Sequence, residues 1–195
     1  MSYATLNQVK SYLDIDGTGD DALLNDLLRR AQSLIDTHTR RTFEATVATT
    51  RYFDPTDTGI VRGARLYLGK DLCQISSVTN GDAEVVAAAD YVTEPRNDTP
   101  YYALTLRSQS GIAWTYDDDS ENAIAISGFW AYSLTPPEDI VQACVRLAAW
   151  LYKQRDGAFG QTARPEVGII ETPLAMPPDV RELLKPYIKP RVHAI

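Results

Sequence analysis

The chain is short of the side chains that carry most protein chemistry: its 195 residues include two cysteines and two histidines. Cys73 and Cys144 lie far apart, with no CxxC spacing and no adjacent histidine, so neither a disulfide framework nor a zinc site is laid out. His38 falls at the end of a helical run and His193 in the C-terminal tail, and neither is placed like a triad member. G-x-S-x-G, the P-loop and the dinucleotide glycine pattern are missing, and "GKDL" at 69–72 has no glycine loop before it. No stretch approaches the ~18 apolar residues of a membrane span. The start, "MSYATLNQVK", lacks a charged-then-apolar signal pattern, so the expectation is a soluble chain made in a cytoplasm, with no membrane partner. Positive charge is scarce too: the formal net charge is -7, the reverse of what gripping a nucleic-acid backbone demands.

What is present is material for a core, since 44% of the residues are apolar, and their spacing changes along the chain. Thr5 and Gln8 form a capping box ahead of Leu6, Val9, Tyr12 and Leu13, which share one helical face. After a glycine-containing turn, Leu23, Leu24, Leu27, Leu28, Ala31, Leu34 and Ile35 keep helical spacing opposite Asp26, Arg29, Arg30 and Asp36, and the helix should stop near "THTRRTF". The intervening "LDIDGTGDDALL" has two readings. Counted from Asp14, it places Asp14, Asp16, Thr18, Gly19 and Asp20 as the first half of a calcium loop would, but Asn25 stands where the closing bidentate carboxylate belongs. The other reading is a turn in which Gly17 and Gly19 supply positive φ and Asp20 or Asp21 caps the next helix.

From about Thr49 to Gly128 the period becomes two. Tyr102, Leu104 and Leu106 share a face, as do Ile124 and Ile126, and Asn80-Gly81 has the composition of a tight hairpin turn. "SLTPPEDIVQACVRLAAWLYKQRDG" then restarts a helix, with Thr135 and Glu138 as a capping box and Gly157 as its exit. Its apolar positions cover most of the circumference, with Trp150 and Leu147 expected to be buried, so it should be the central core helix. Residues 157–177 read as an extended loop. Its segment "EVGIIE", with Val167, Ile169 and Ile170, is apolar and β-prone, suited to inter-subunit contact or strand addition on a partner's sheet edge. A last short helix, "PPDVRELLKPYI", is interrupted by Pro186. The acidic run Asp117, Asp118, Asp119 and Glu121 is the other concentration of oxygen ligands, but consecutive side chains diverge, which favours a solvated loop over a metal site. No cofactor is implied.

The expected fold is α+β: a small four-helix bundle with an inserted antiparallel β subdomain and an extended loop before the C-terminal helix. Its segments are 1–48, N-terminal helices; 49–134, β subdomain; 135–156, core helix; 157–177, loop; and 178–195, C-terminal helix and tail.

Taken in order, "LNQVKSYLDIDGTGDDALLNDLLRRAQSLIDTHTRRTF" with its Arg41-x-Phe43, "RLYLGKDLCQISSVTNGDAEV", "GFWAYSLTPPEDIVQACVRLAAWLYKQRDG" and "PPDVRELLKPYIKPR" resemble the head-tail connector (adaptor) proteins of tailed phages across nearly the whole chain. One departure is Arg40, where that family's pattern has a glycine. The resemblance implies a non-enzymatic virion protein of the neck. It would form a twelvefold ring with copies of itself under the portal protein, extend a channel through which DNA passes without specific binding, and dock the next neck or tail-completion protein. In that setting the C-terminal segment is the expected portal contact, either docked or a frayed terminus when alone. Val180, Leu183 and Leu184 form its apolar stripe, Tyr187 its anchor, and Arg181, Lys185, Lys189 and Arg191 its steering charges.

Overall fold

Thr5 starts the first helix as its sequence predicts. In α1 (Leu6–Leu13) the Gln8 amide donates to Thr5 Oγ1 at 3.3 Å, and the Thr5 amide returns the bond to Gln8 Oε1 at 2.7 Å. The helix ends at Asp14, which takes the left-handed conformation (φ 58°). The sequence assigned that conformation to Gly17 and Gly19; a short polar side chain able to bond locally tolerates it here instead. The computed structural model describes residues 2–155, 161–164, 168–171 and 176–190, which fall into two units. The helical one spans Met1–Arg40 and Pro136–Pro190, and the β one Arg41–Thr135.

In the helical unit, α2 (Asp21–Thr39) buries Leu24, Leu27, Leu28, Ala31 and Ile35. Fully burying such an aliphatic side chain stabilises by about 1.5–3 kcal/mol. The stripe is narrower than the spacing suggested, because Leu23 and Leu34 remain 37% and 43% exposed. Arg40 leaves the helix with φ 57°, so the exit is the left-handed turn a glycine would make, adopted by a residue that pays for it in sterics.

α3 (Glu138–Gln154) starts two residues later than the capping-box reading placed it. Pro137 occupies the cap position without a side-chain bond, because each proline disfavours helical backbone in the residue before it. Thr135 therefore stays outside the helix. Ile140, Ala143, Cys144, Leu147 and Ala148 are fully buried, whereas Trp150 is only half-buried. α3 packs against α1, α2 and α4 (Pro178–Leu184), the central position its apolar circumference called for. A 3-10 turn at Lys185–Tyr187 continues α4, since Pro186 removes an amide but fits an early helical position.

The β unit contains two antiparallel sheets. In the first, β1 (Thr49–Phe53) and β4 (Gln74–Thr79) flank β7 (Ile124–Phe129). The second runs β2 (Val61–Arg62), β3 (Arg65–Leu72), β6 (Tyr101–Leu106), β5 (Tyr91–Glu94). Phe53, Leu66, Leu68, Leu72, Val78, Leu104, Leu106, Trp114, Ile124 and Ile126 form one buried cluster. Tyr102 shares a face with Leu104 and Leu106 but lies at the strand's start, 49% exposed, its hydroxyl donating to Glu94 Oε2 at 3.3 Å.

Asn80-Gly81 does turn the chain, with Asn80 N–H donating to the Glu84 carbonyl at 2.8 Å, but the returning arm is a single bridge between Thr79 and Val85. The pair serves another purpose. Asn80 is buried and clamps the 113–115 backbone, its Nδ2 donating to the Ala113 carbonyl at 2.8 Å and its Oδ1 accepting from Thr115 N–H at 3.2 Å. A Cβ on Gly81 would stand 2.0 Å from the Thr115 carbonyl oxygen, so the close approach of two backbones requires glycine.

Where an extended loop was expected, β8 (Gln161–Arg164) and β9 (Gly168–Glu171) pair antiparallel as a two-stranded sheet, with Thr162 opposite Ile170 and Ala163 opposite Ile169. Two β-prone runs close in sequence satisfy each other's backbone groups, which a single extended segment leaves open. Gly157 and Val167 lie outside the described residues.

Candidate assembly surfaces

The expected C-terminal stripe divides in two. Val180 and Leu184 are fully buried in the helical unit, where α4 packs on α3, and Leu183 is half-buried. Val180 and Leu184 therefore belong to the chain's own core, a correction to their assignment as docking anchors; with a polar outer face on α4, the apolar positions have only the core to face. Polar contacts pin the segment down. Arg146 Nη1 meets Asp179 Oδ2 at 3.0 Å, Tyr187 OH donates to Asp139 Oδ2 at 3.2 Å, and the Lys189 amide donates to the Thr39 carbonyl at 2.9 Å. Arg181 and Lys185 remain exposed. Arg181 Nε folds back onto the Met176 carbonyl at 3.0 Å, and Lys185 reaches Glu182 at 3.5 Å. Arg191 and His193 lie outside the described residues.

The acidic turn is also committed. Lys10 Nζ pairs with Asp21 at 2.8 Å. Asp20 holds the cap position without capping; its carboxylate accepts from Tyr152 OH and pairs with Arg155 at 3.0 Å. Those bonds, Arg155's first, hold the Asp20 pKa below the usual carboxylate range. Among the described residues no group of three or more His, Cys, Asp or Glu is placed to hold a metal ion, whether at Asp14, Asp16, Thr18 and Asp20 or at the exposed Asp117–Asp119 run. The thiols are poor nucleophiles: burial pushes Cys144 up to about 11 and raises Cys73, which disfavours thiolate.

The Arg41-x-Phe43 signature is structural. Arg41 Nη1 pairs with the buried Asp71 carboxylate at 2.8 Å, and its guanidinium lies 5.3 Å from the Tyr132 ring centroid. Phe43 is fully buried and meets the same ring at 5.5 Å. A feature not anticipated from the sequence is a groove on the β unit, lined by Tyr91, Thr93, Arg96, Asn97, Tyr101 and Arg107 among others. Arg96 and Arg107 sit in separate loops, and only the fold brings them together.

In this two-unit α+β fold Asp20, Asp21 and Asp71 are taken up in ion pairs, and burial raises both thiols. The chain belongs to the head completion protein family, whose model matches residues 3–189. Among solved structures it is similar to a chain in the neck of an empty GTA particle computed with C6 symmetry. That match has TM-score 0.60 and 17% identity, covering 98% of this chain and 92% of that one. It is also similar to a chain in the neck of a native GTA particle computed with C12 symmetry, at TM-score 0.59 and 18% identity, covering 96% and 90%. A comparison with curated proteins finds no match.

Proposed function

We propose that the chain is a neck component of a phage-like virion, a head-tail connector without catalytic activity. It assembles with copies of itself into a ring beneath the portal protein, prolongs the DNA channel and receives the next neck or tail-completion protein. The observation that carries this reading is the family match, which spans both units rather than one. The fold shared with chains from necks computed with C6 and C12 symmetry supports the ring. A net charge of -7 suits a channel wall past which DNA slides without being held.

In this reading the portal contact falls on the exposed cations of the C-terminal segment, Arg181 and Lys185, with Lys189 and Tyr187 beside them; Arg191 extends the series. Val180, Leu183 and Leu184 shape that surface from beneath. The β8–β9 hairpin, with Ile169 and Ile170, is the arm for a neighbouring subunit, because an isolated two-stranded sheet is marginal in water and gains from a further strand or face. Electron microscopy of the protein mixed with its portal protein tests the ring, which should appear coaxial with the portal. Arg181→Glu with Lys185→Glu tests the contact and should abolish co-sedimentation while leaving the thermal midpoint unchanged. A cut after Met176 is unsuitable for this purpose, since it removes Val180 and Leu184 from the core. Undiminished co-sedimentation of the double variant would place the docking surface elsewhere.

A further inference from the structure

Arg96 and Arg107 line two adjoining concavities of the β unit, of about 560 Å³ and 450 Å³. Neither concavity is lined by an aspartate or glutamate, in a chain where 26 acidic residues outnumber 19 basic ones. Both arginines are exposed. Neither makes an ion pair among the described residues, whereas the nearby Glu94 is taken up by Arg65 at 2.8 Å and by Thr105 Oγ1 at 2.6 Å. Tyr91 and Tyr101 supply aromatic walls beside the charges.

The same unit carries the opposite sign. Asp117, Asp118, Asp119 and Glu121 are all exposed, and none makes an ion pair among the described residues. Their loop is held at both ends, by the Gly81–Tyr116 bridge and by Asn122 N–H donating to the Asp54 carboxylate. Within it, Glu121 N–H donates to Asp119 Oδ1 at 2.9 Å. A loop held at both ends loses less freedom on docking than a free one.

We propose that the Asp117–Glu121 loop of one copy seats in the Arg96–Arg107 groove of the next, making the electrostatic contact between neighbouring subunits. The proposal rests on the ring reading. A head-to-tail ring needs two different, mutually complementary patches on every subunit, and the β unit carries one of each sign. The arginine forks offer bidentate recognition of carboxylates, and like-signed patches would repel any other register.

Two variants of the full chain test it: Arg96→Glu with Arg107→Glu, and Asp117→Lys with Asp118→Lys and Asp119→Lys. All five positions are exposed, so circular dichroism and thermal midpoints should match those of the unaltered chain. Self-association is read by sedimentation velocity and electron microscopy at low and high salt. Each variant alone should associate at least about tenfold more weakly than the unaltered chain, because the reversed patch faces its own sign. An equimolar mixture should recover rings in which the two variants alternate, since every groove then meets a loop of opposite charge. The unaltered ring should loosen as salt screens the pairs. Rings that persist in both variants, or a mixture that stays apart, overturn the pairing and leave the ring reading intact. A groove variant that assembles normally but loses affinity for DNA assigns the groove to nucleic acid and also overturns it. An unaltered chain that remains monomeric at every concentration, with its portal protein as well as alone, overturns the ring and the pairing together.

Discussion

In the helical unit the buried side chains are mostly aliphatic ones ranged around α3, such as Leu24, Leu28, Ile35, Ile140, Leu147 and Leu184. The β unit has an aliphatic cluster of similar quality, but polar side chains fasten its loops to its strands. Asn80 clamps the 113–115 backbone, Trp114 Nε1 donates to the Ala64 carbonyl at 2.9 Å, and Trp130 Nε1 donates to the Thr49 carbonyl at 3.0 Å. Helices satisfy most of their own backbone groups, so apolar contact carries most of the packing in the helical unit, and polar pairs such as Arg146–Asp179 and Tyr187–Asp139 fasten its surface. Connections between strands leave backbone groups unpaired, and side chains must reach across the sequence to meet them.

The sharpest attack on that contrast is Leu147→Asp. An unpaired charge at the centre of α3 should cost about 4 kcal/mol or more, read as a collapse of the helical unit's unfolding transition; an unchanged midpoint would displace α3 from the core. Next is Asn80→Ala, which strands the Ala113 carbonyl and the Thr115 amide and should cost about 2–4 kcal/mol, more than removal of a polar side chain from the helical surface. Chemical denaturation measures it, and a loss below about 0.5 kcal/mol would mean that water replaces the clamp.

Arg40→Gly should work in the other direction, relieving the left-handed strain and raising stability by about 0.5–1 kcal/mol despite losing the exposed bond from Arg40 Nη1 to the Lys189 carbonyl at 3.2 Å. The smallest effect is expected from Asp20→Asn. Because the folded state depresses this carboxyl's pKa, its contribution is complete above the unfolded value of 3.8 and is lost as pH falls through the lower folded value. Thermal midpoints of the variant should therefore drop less than those of the unaltered chain across that acid window. Equal drops would show that the Arg155 pairing adds nothing.

The helical unit was the more legible in sequence because its signals are local. The Thr5–Gln8 box and the α2 and α3 periodicities lie within a few residues of the structure they specify. The exceptions were local competitions: Pro136–Pro137 against Thr135 for the start of α3, and Asp14 against Gly17 and Gly19 for the left-handed turn. Leu23, Leu34 and Trp150 fit an apolar pattern that says which face is oily but not how far the neighbours extend over it. In the β unit, alternation located strands such as β6 and β7 and the Asn80-Gly81 turn, but not the clamp that Asn80 makes, because its partner lies some thirty residues away in 113–115. The candidate surfaces were the least legible. Arg96 and Arg107 are unremarkable in sequence, and Val180 with Leu184 looked available for docking until α3 was seen to cover them.

The β unit leaves the helical unit after Arg40 and returns to it at Pro136, and its two ends are fastened together. The Tyr132 amide donates to the Thr42 carbonyl at 2.8 Å, and Ser133 Oγ donates to the Phe43 carbonyl at 3.1 Å. A β unit that folds first therefore presents α2 and α3 with a short tether in place of a long flexible one. By chain-closure statistics this removes about 2–3 kcal/mol from the entropic cost of bringing the helices together. Until α3 leaves the ribosome, α1 and α2 have no central helix to pack against, so during synthesis the inserted unit is the first part able to complete itself.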